Sequence, residues 1–371
     1  MDAAEASFYS LQLTRRNIVL QIGSLRDSVN MAIKALEMDD RYKVLIADED
    51  SWDEEYHAEL IFELEMYRNM KYKELTSDER RELINIRDMG YERFNLNLKR
   101  VDNNVEIMRN QLMYAAYAQY TGIAKMQAAI ILQQEAMDLQ LKNLTVLKAR
   151  YEIGSASRIE VENAELSYLK AEIDMRKQKR SMTSLLTGFN RLVGENLATD
   201  YQDFDRSQLK PPKRDEPVEA YLEKALENRS EIIMAAEELS LAQRQAELYE
   251  TEITNFRTLD DRQDVYQAAA EAVITYDITV QDVEAEIKSA YKQLVALRGV
   301  TRYYESQIKT AQENCERTQV LLDMGMTTAV NVDQVKMSLA QAEMQLENNL
   351  IDIWQQRKKL EIISGIGPGG L

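Results

Sequence analysis

The sequence predicts an all-α protein, and three observations carry that prediction. Proline is nearly absent: there are 4 in all and none in the first 210 residues, which is what very long uninterrupted helices require. Glycine numbers only 12, while Ala, Glu, Gln, Lys, Leu and Met are plentiful, the composition of long helices and coiled coils. The chain also repeats itself. Helix-forming sequence runs into Arg150-Tyr151-Glu152-Ile153-Gly154-Ser155-Ala156-Ser157 and out of it again, and the pattern returns as Leu321-Leu322-Asp323-Met324-Gly325-Met326-Thr327-Thr328. The displacement is 171 residues and holds without a gap out to Gly194 and Gly365.

Glycine tolerates the left-handed backbone that ends a helix, and Ser155 or Ser157 can cap the helix that follows. The reading is therefore two tandem copies of one very long antiparallel helical hairpin, each turning at its glycine. The first repeat spans 1–199 with its tip at Gly154, the second 200–371 with its tip at Gly325, and the two are expected to pack as one elongated domain.

Residues 1–22 admit two readings, a short extended segment or a helix start, because Leu11, Leu13, Ile18, Leu20 and Ile22 alternate only loosely. Ser24 then opens a helical stretch carrying Leu25, Val29, Ala32, Ile33 and Leu36. Its counterpart is Pro217-Val218 followed by Leu222, Ala225 and Leu226, with proline at a favourable first-turn position. The displacement there is 193, so an insertion is expected within 39–76. That region holds the acidic run from Ala47 to Glu55 and more helix. Thr76-Ser77-Asp78-Glu79-Arg80 reads as an N-cap with acidic first-turn residues. From there only Gly90 and Gly122 interrupt helix-forming sequence before Gly154. About 75 residues at 1.5 Å each span roughly 110 Å.

Heptads support paired helices. Ile123, Ile130, Met137 and Leu144 recur every seven residues and correspond to Leu294, Thr301, Ile308 and Cys315. Past the tips, Ile159, Leu166 and Ile173 correspond to Val330, Met337 and Met344, and Met182 and Phe189 to Ile353 and Leu360. Cys315 on this seam reads as a buried small apolar residue. Residues 195–217, polar and containing Pro211-Pro212, read as the linker between repeats, and Gly365–Leu371 as an unstructured tail.

The formal net charge of −17, from 63 acidic and 46 basic residues, disfavours nucleic acid or anionic lipid as a partner. No window approaches 18 consecutive apolar residues, so no transmembrane helix is expected. The opening Met1-Asp2-Ala3-Ala4-Glu5 lacks the apolar core of a signal peptide. A single cysteine excludes an internal disulfide. No Ser/His/Asp set, phosphate loop or Cys/His cluster is present, and His57, the one histidine, reads as an exposed surface residue. Carboxylates on long helices are usually solvated faces. The sequence thus points to no enzyme, no metal and no cofactor.

The residues Tyr151, Gly154, Ile159-Glu160-Val161, Ala164, Tyr168 and Leu192-Val193-Gly194, repeated as Gly325, Val330-Asn331-Val332, Ala342 and Ile363-Ser364-Gly365, resemble the TolC-like outer-membrane efflux family. The resemblance covers nearly the whole chain. It implies the protomer of a homotrimeric α-helical tube with shorter equatorial helices, located in the cell envelope outside the cytoplasm. It further implies an outlet duct of an efflux or secretion machine, with a membrane-fusion adaptor protein and an inner-membrane transporter as partners. The adaptor contacts implied are Gly154, Ser155, Ala156, Gly325, Met326 and Thr327; the pore constriction implied is Glu160, Asn163, Asn331 and Gln334. Family members narrow the pore with acidic residues in the second repeat, where this chain has the amides Asn331 and Gln334.

Family members also insert two β-strands per repeat, and such a strand needs about 10 alternating residues. Neither 39–104 nor 250–285 alternates in that way, and Arg257–Asp264 reads as a short polar turn, so a member without a transmembrane β-barrel is expected. The alternative reading is a structural coiled-coil scaffold of the envelope that keeps the fold without a conduit role.

Overall fold

The computed structural model describes residues 3–53, 56–201, 204–251 and 259–367. Among these residues there are nine α-helices and no strand. The helices are α1 (Ala3–Leu20), α2 (Ile22–Asp48), α3 (Ala58–Asn69), α4 (Ser77–Glu152), α5 (Arg158–Val193), α6 (Val218–Asn228), α7 (Ser230–Thr251), α8 (Leu259–Asp323) and α9 (Ala329–Ile363). The all-α reading and the long hairpins α4–α5 and α8–α9 are as the sequence predicts. Two compact units result: one from Ala3–Met108 with Leu226–Val283, the other from Arg109–Ala225 with the chain from Glu284 onward. Each unit draws on both sequence repeats.

In the first unit, the ambiguous opening segment is helical. The only interruption before α2 is Gln21, whose N–H still reaches the Asn17 carbonyl at 3.1 Å and whose carbonyl accepts from Leu25 N–H at 3.0 Å. α2 packs on α4 where Gly90 lets it come close: a Cβ on Gly90 stands 3.4 Å from Val29 Cγ2. Ion pairs Lys99–Glu237, Arg100–Glu238 and Arg244–Glu92 join α4 to α7.

The insertion after Leu36 is a helical cap. α2 ends in a 3₁₀ turn at Glu49–Ser51, α3 folds back, and α4 starts at Ser77. Leu45, Leu64 and Tyr67 are buried together, ringed by Tyr42, Trp52, Leu60 and Tyr72. Beneath them lies Asp39, which has no exposed surface. Its carboxylate accepts from Leu75 N–H at 2.8 Å and from Arg80 and Lys43, each at 2.9 Å. Burial pushes this carboxyl up, but the Leu75 N–H and the two cations outweigh burial and hold it below the usual range. Burial, and then the Asp39 charge, push the Tyr72 phenol up to about 12. Thr76 caps α4 as expected: Glu79 N–H donates to its hydroxyl at 3.4 Å, and its own N–H donates to the Glu79 carboxylate at 2.8 Å. His57 is half-buried rather than exposed, because its ring stacks on Trp52 and Nδ1 accepts from Asp53 N–H at 3.1 Å. Glu54 and Glu55 of the acidic run lie outside the described residues.

In the second unit, α4 runs antiparallel to α9. Lys142 pairs with Asp333, Lys125 pairs with Asp352, Thr121 donates to Gln355 Oε1 at 3.1 Å, and Asn110 donates to the Gly367 carbonyl at 3.2 Å. Gly365–Gly367 is therefore folded onto α4 instead of trailing away; Pro368–Leu371 lie outside the described residues. Ile123, Leu294, Ile353 and Leu360 of the predicted seam are fully buried. Cys315, expected to be buried, is only half-buried.

The linker also differs from expectation. It is a packed part of the core: Phe204 and Leu209 are buried against Ile123, Ala124 and Ile351, with Tyr201 alongside. Asn190, itself buried, donates to the Thr199 carbonyl at 2.7 Å. Arg298 fixes the far end, donating to Asp215 at 2.9 and 3.0 Å and to the Pro212 carbonyl at 2.6 Å. The 193-residue correspondence is not kept either. Leu25 and Val29 lie against Gly90 of α4, whereas Tyr221 of α6 lies against Tyr291 of α8, whose α4 counterpart is Tyr120. The predicted Arg257–Asp264 turn is corrected: Arg257 and Thr258 lie outside the described residues, and residues 259–264 are the first of α8.

Candidate functional site

The two hairpin turns are built alike, atom for atom in the backbone. At the first, Ser155 N–H donates to the Arg150 carbonyl at 2.7 Å and Gly154 N–H to the Tyr151 carbonyl at 2.9 Å. At the second, Met326 N–H donates to Leu321 at 2.8 Å and Gly325 N–H to Leu322 at 2.9 Å. This pair of bonds is the Schellman closure of a helix C-terminus, which needs a left-handed residue at its penultimate position. Gly154 has φ of 75° and Gly325 of 69°. Nothing lies within 4 Å of where either Cβ would stand, so backbone conformation, not crowding, selects glycine here.

The next helices start alike as well. Ser157 and Thr328 are the N-caps, accepting from Glu160 N–H and Asn331 N–H at 3.3 Å in each case. The reciprocal bond differs. The Glu160 carboxylate accepts from Ser157 N–H at 2.7 Å, completing a capping box. Asn331 turns aside and donates from Nδ2 to Thr327 Oγ1 at 3.0 Å. The Ser157 N–H, then its hydroxyl, hold the Glu160 carboxyl below its ordinary value.

Of the predicted tip residues, Gly154, Ser155, Gly325 and Met326 are exposed, while Ala156 and Thr327 are half-covered. Ile153, Ile159, Met324 and Met326 add exposed apolar side chains around them. The predicted constriction residues Glu160, Asn163, Asn331 and Gln334 all lie exposed within the first two turns of α5 and α9. Glu160 and Asn331 thus already have local roles at the caps. Asn163 and Gln334 use their carbonyls for Ser167 and Ser338 and leave their amide side chains to solvent. The Lys142–Asp333 pair ties the end of α4 to the start of α9, bringing the two turns to one end of this unit.

Sequence reasoning missed the Asp39 cluster. The signal was there: an aspartate inside an otherwise apolar helical face, with Tyr72 and Arg80 beyond the insertion. Among the described residues no group of His, Cys, Asp or Glu converges in a way that could hold a metal ion. No described helix is long and apolar enough to cross a membrane.

No family model matches the sequence, and no curated protein matches it. Solved structures do match its fold. The outer membrane protein VceC of Vibrio cholerae is 16% identical, with a TM-score of 0.55 over 75% of each chain. The CmeC outer membrane channel of Campylobacter jejuni is 13% identical, with a TM-score of 0.53 over 76% of this chain and 68% of its own. A membrane protein of Pseudomonas aeruginosa is 15% identical, with a TM-score of 0.56 over 77% of this chain and 72% of its own. At these identities the likeness is one of fold: this chain has the long-helix fold of the TolC-like outer-membrane channels, with no strand among its described residues.

Proposed function

We propose that the chain is one protomer of a homotrimeric helical duct in an envelope export or efflux assembly, and that an adaptor protein docks on its two hairpin tips. The observation that carries the reading is the pair of matched Schellman turns at Gly154 and Gly325, each ringed by exposed small and apolar side chains. A mating helical tip can approach such a surface closely, and the uncovered Ile153, Met324 and Met326 supply area to bury. Glu160, Asn163, Asn331 and Gln334 then stand just past the tips as the narrowing of the pore, with a carboxylate from one repeat and amides from the other. An inner-membrane transporter completes the assembly and the duct is extracytoplasmic. The reaction class is passage, not chemistry.

The test is capture by an adaptor co-expressed from the same genome. Wild-type chain is expected to retain it, and the chain carrying Gly154→Trp with Gly325→Trp is expected to lose it while keeping its helical content. Undiminished capture by the double variant overturns tip docking. One observation favours the scaffold reading, namely the helical cap carrying α3 in the part of the chain where family members insert barrel strands. Under that reading the double variant changes no interaction.

A further inference from the structure

Helix α3 is apolar on two of its sides. On one, Leu60, Leu64 and Tyr67 pack with Tyr42 and Leu45 of α2 into the core of the cap. On another, Phe62, Met66 and, at the C-cap, Met70 recur every four residues and are 71%, 44% and 54% exposed. Side chains four apart stand one above the other along a helix, so these three form a continuous ridge. A single exposed apolar side chain is ordinary. A helix with apolar side chains on both faces is one that is covered on both, and α3 has its cover on one only. The ridge is about 12 Å long at 1.5 Å per residue, enough for one crossing helix to seat it in a groove.

Charge selects what covers it. Between positions 44 and 67 the sequence has nine carboxylates and no lysine or arginine. Two of them are used inside the cap: Glu49 holds Arg68 and Glu63 holds Arg41, each at 2.7 Å. Glu59 stands one turn before Phe62 and Glu65 one turn after it, both exposed. Among the described residues neither is paired with a cation. The exposed Lys71 and Lys73 come only after the helix has ended. A helix that lies on a lipid surface carries Lys and Arg beside its apolar stripe, and α3 has carboxylates there. A second copy of the chain would bring the same acidic stretch to the contact, and like charges oppose it.

We propose that Phe62, Met66 and Met70 dock a basic amphipathic helix of another protein. Apolar side chains of that helix straddle the ridge, and its Lys or Arg side chains pair with Glu59 and Glu65. This surface belongs to the first unit and the tips to the second, so the contact does not rest on the duct reading.

The test is fluorescence anisotropy with the full chain at moderate salt. The probe is a fluorescein-labelled peptide of about 18 residues, leucine and lysine at helical spacing, long enough to form a helix. Saturable binding is expected, with none to a twin peptide carrying glutamate for lysine. Phe62→Ser with Met66→Ser keeps the charge and is expected to weaken binding about tenfold without changing the circular dichroism, since both side chains are exposed. Glu59→Lys with Glu65→Lys keeps the ridge and is expected to weaken it about tenfold as well. Met31→Ser, at an exposed apolar position of α2, is expected to change nothing. Full affinity in the Phe62→Ser, Met66→Ser variant overturns the site, since the peptide then reads only the net charge. Sedimentation of the chain with phosphatidylcholine or phosphatidylglycerol vesicles, lost in that same variant, overturns the protein partner in favour of a lipid one.

Discussion

Gly154 and Gly325 stand 171 residues apart and hold the same left-handed backbone, with φ of 75° and 69°. Each has open space where a side chain would project, so the whole penalty for replacing it comes from the backbone. Gly154→Ala and Gly325→Ala are each expected to cost about 1 kcal/mol. Hydrogen exchange should show faster opening confined to the flanking helix ends, with the fully buried positions of the same helices unaffected.

The caps offer a finer comparison. Ser157→Ala is expected to destabilise the start of α5 by about 1 kcal/mol, as loss of an N-cap does. Thr328→Ala should act in the same direction on α9, which has no reciprocal carboxylate. Replacing Glu160 by Gln should weaken the first cap only, and the change should be readable as faster amide exchange at Ser157.

Asp39 carries the cap at 49–76. Asp39→Ala leaves the Leu75 N–H without its acceptor and removes one of the two carboxylates on Arg80, Asp40 remaining at 2.7 Å, and is expected to cost about 2 kcal/mol. A denaturant titration followed by tyrosine fluorescence measures it, because Tyr42, Tyr67 and Tyr72 pack together there.

The same residue sets a pH dependence. Its carboxyl is held below the unfolded value of about 3.9. A depressed carboxyl adds stability above that unfolded value, and this stability drains away as pH falls through the lowered one. Acid is therefore expected to loosen the α3 cap, and Asp39→Asn to remove that part of the acid sensitivity.

In the second unit Leu294 is wholly buried on the α8 seam, and Leu294→Ala is expected to cost about 3 kcal/mol in global unfolding. The matched truncation at an exposed position, Leu166→Ala, should leave the stability of the isolated protomer nearly unchanged.

Most of the fold was legible because long helices announce themselves by what they lack. No proline precedes Pro211, and Gly154, Gly194, Gly325 and Gly365 punctuate the repeat at one spacing. The capping pair Thr76 and Glu79 could be read locally for the same reason. The opening helix α1 could not, since Leu11, Leu13 and Leu20 fit two periods. The cap was hidden by acidic residues, which say where solvent is and nothing of Leu64 and Tyr67 beneath. Residues 195–217 looked like a tether because polar residues outnumber Tyr201, Phe204 and Leu209, yet those three decide the packing. A heptad tells that Ile159, Leu166 and Ile173, all exposed in the fold, want a neighbour, not whose neighbour it is. At the tips the glycines and caps were readable, while the split between Glu160 and Asn331 in their capping bonds needed atomic geometry.

The clamp of Arg298 on Asp215 has a consequence for how this molecule could be rewired. The stretch between the two repeats is a keystone, wedged between helices from both of them. Cutting the chain there and rejoining its ends elsewhere would pull that wedge out. Circular permutants should be opened instead at 154–156 or 325–327, where the strand of protein is briefly free of everything but its own turn.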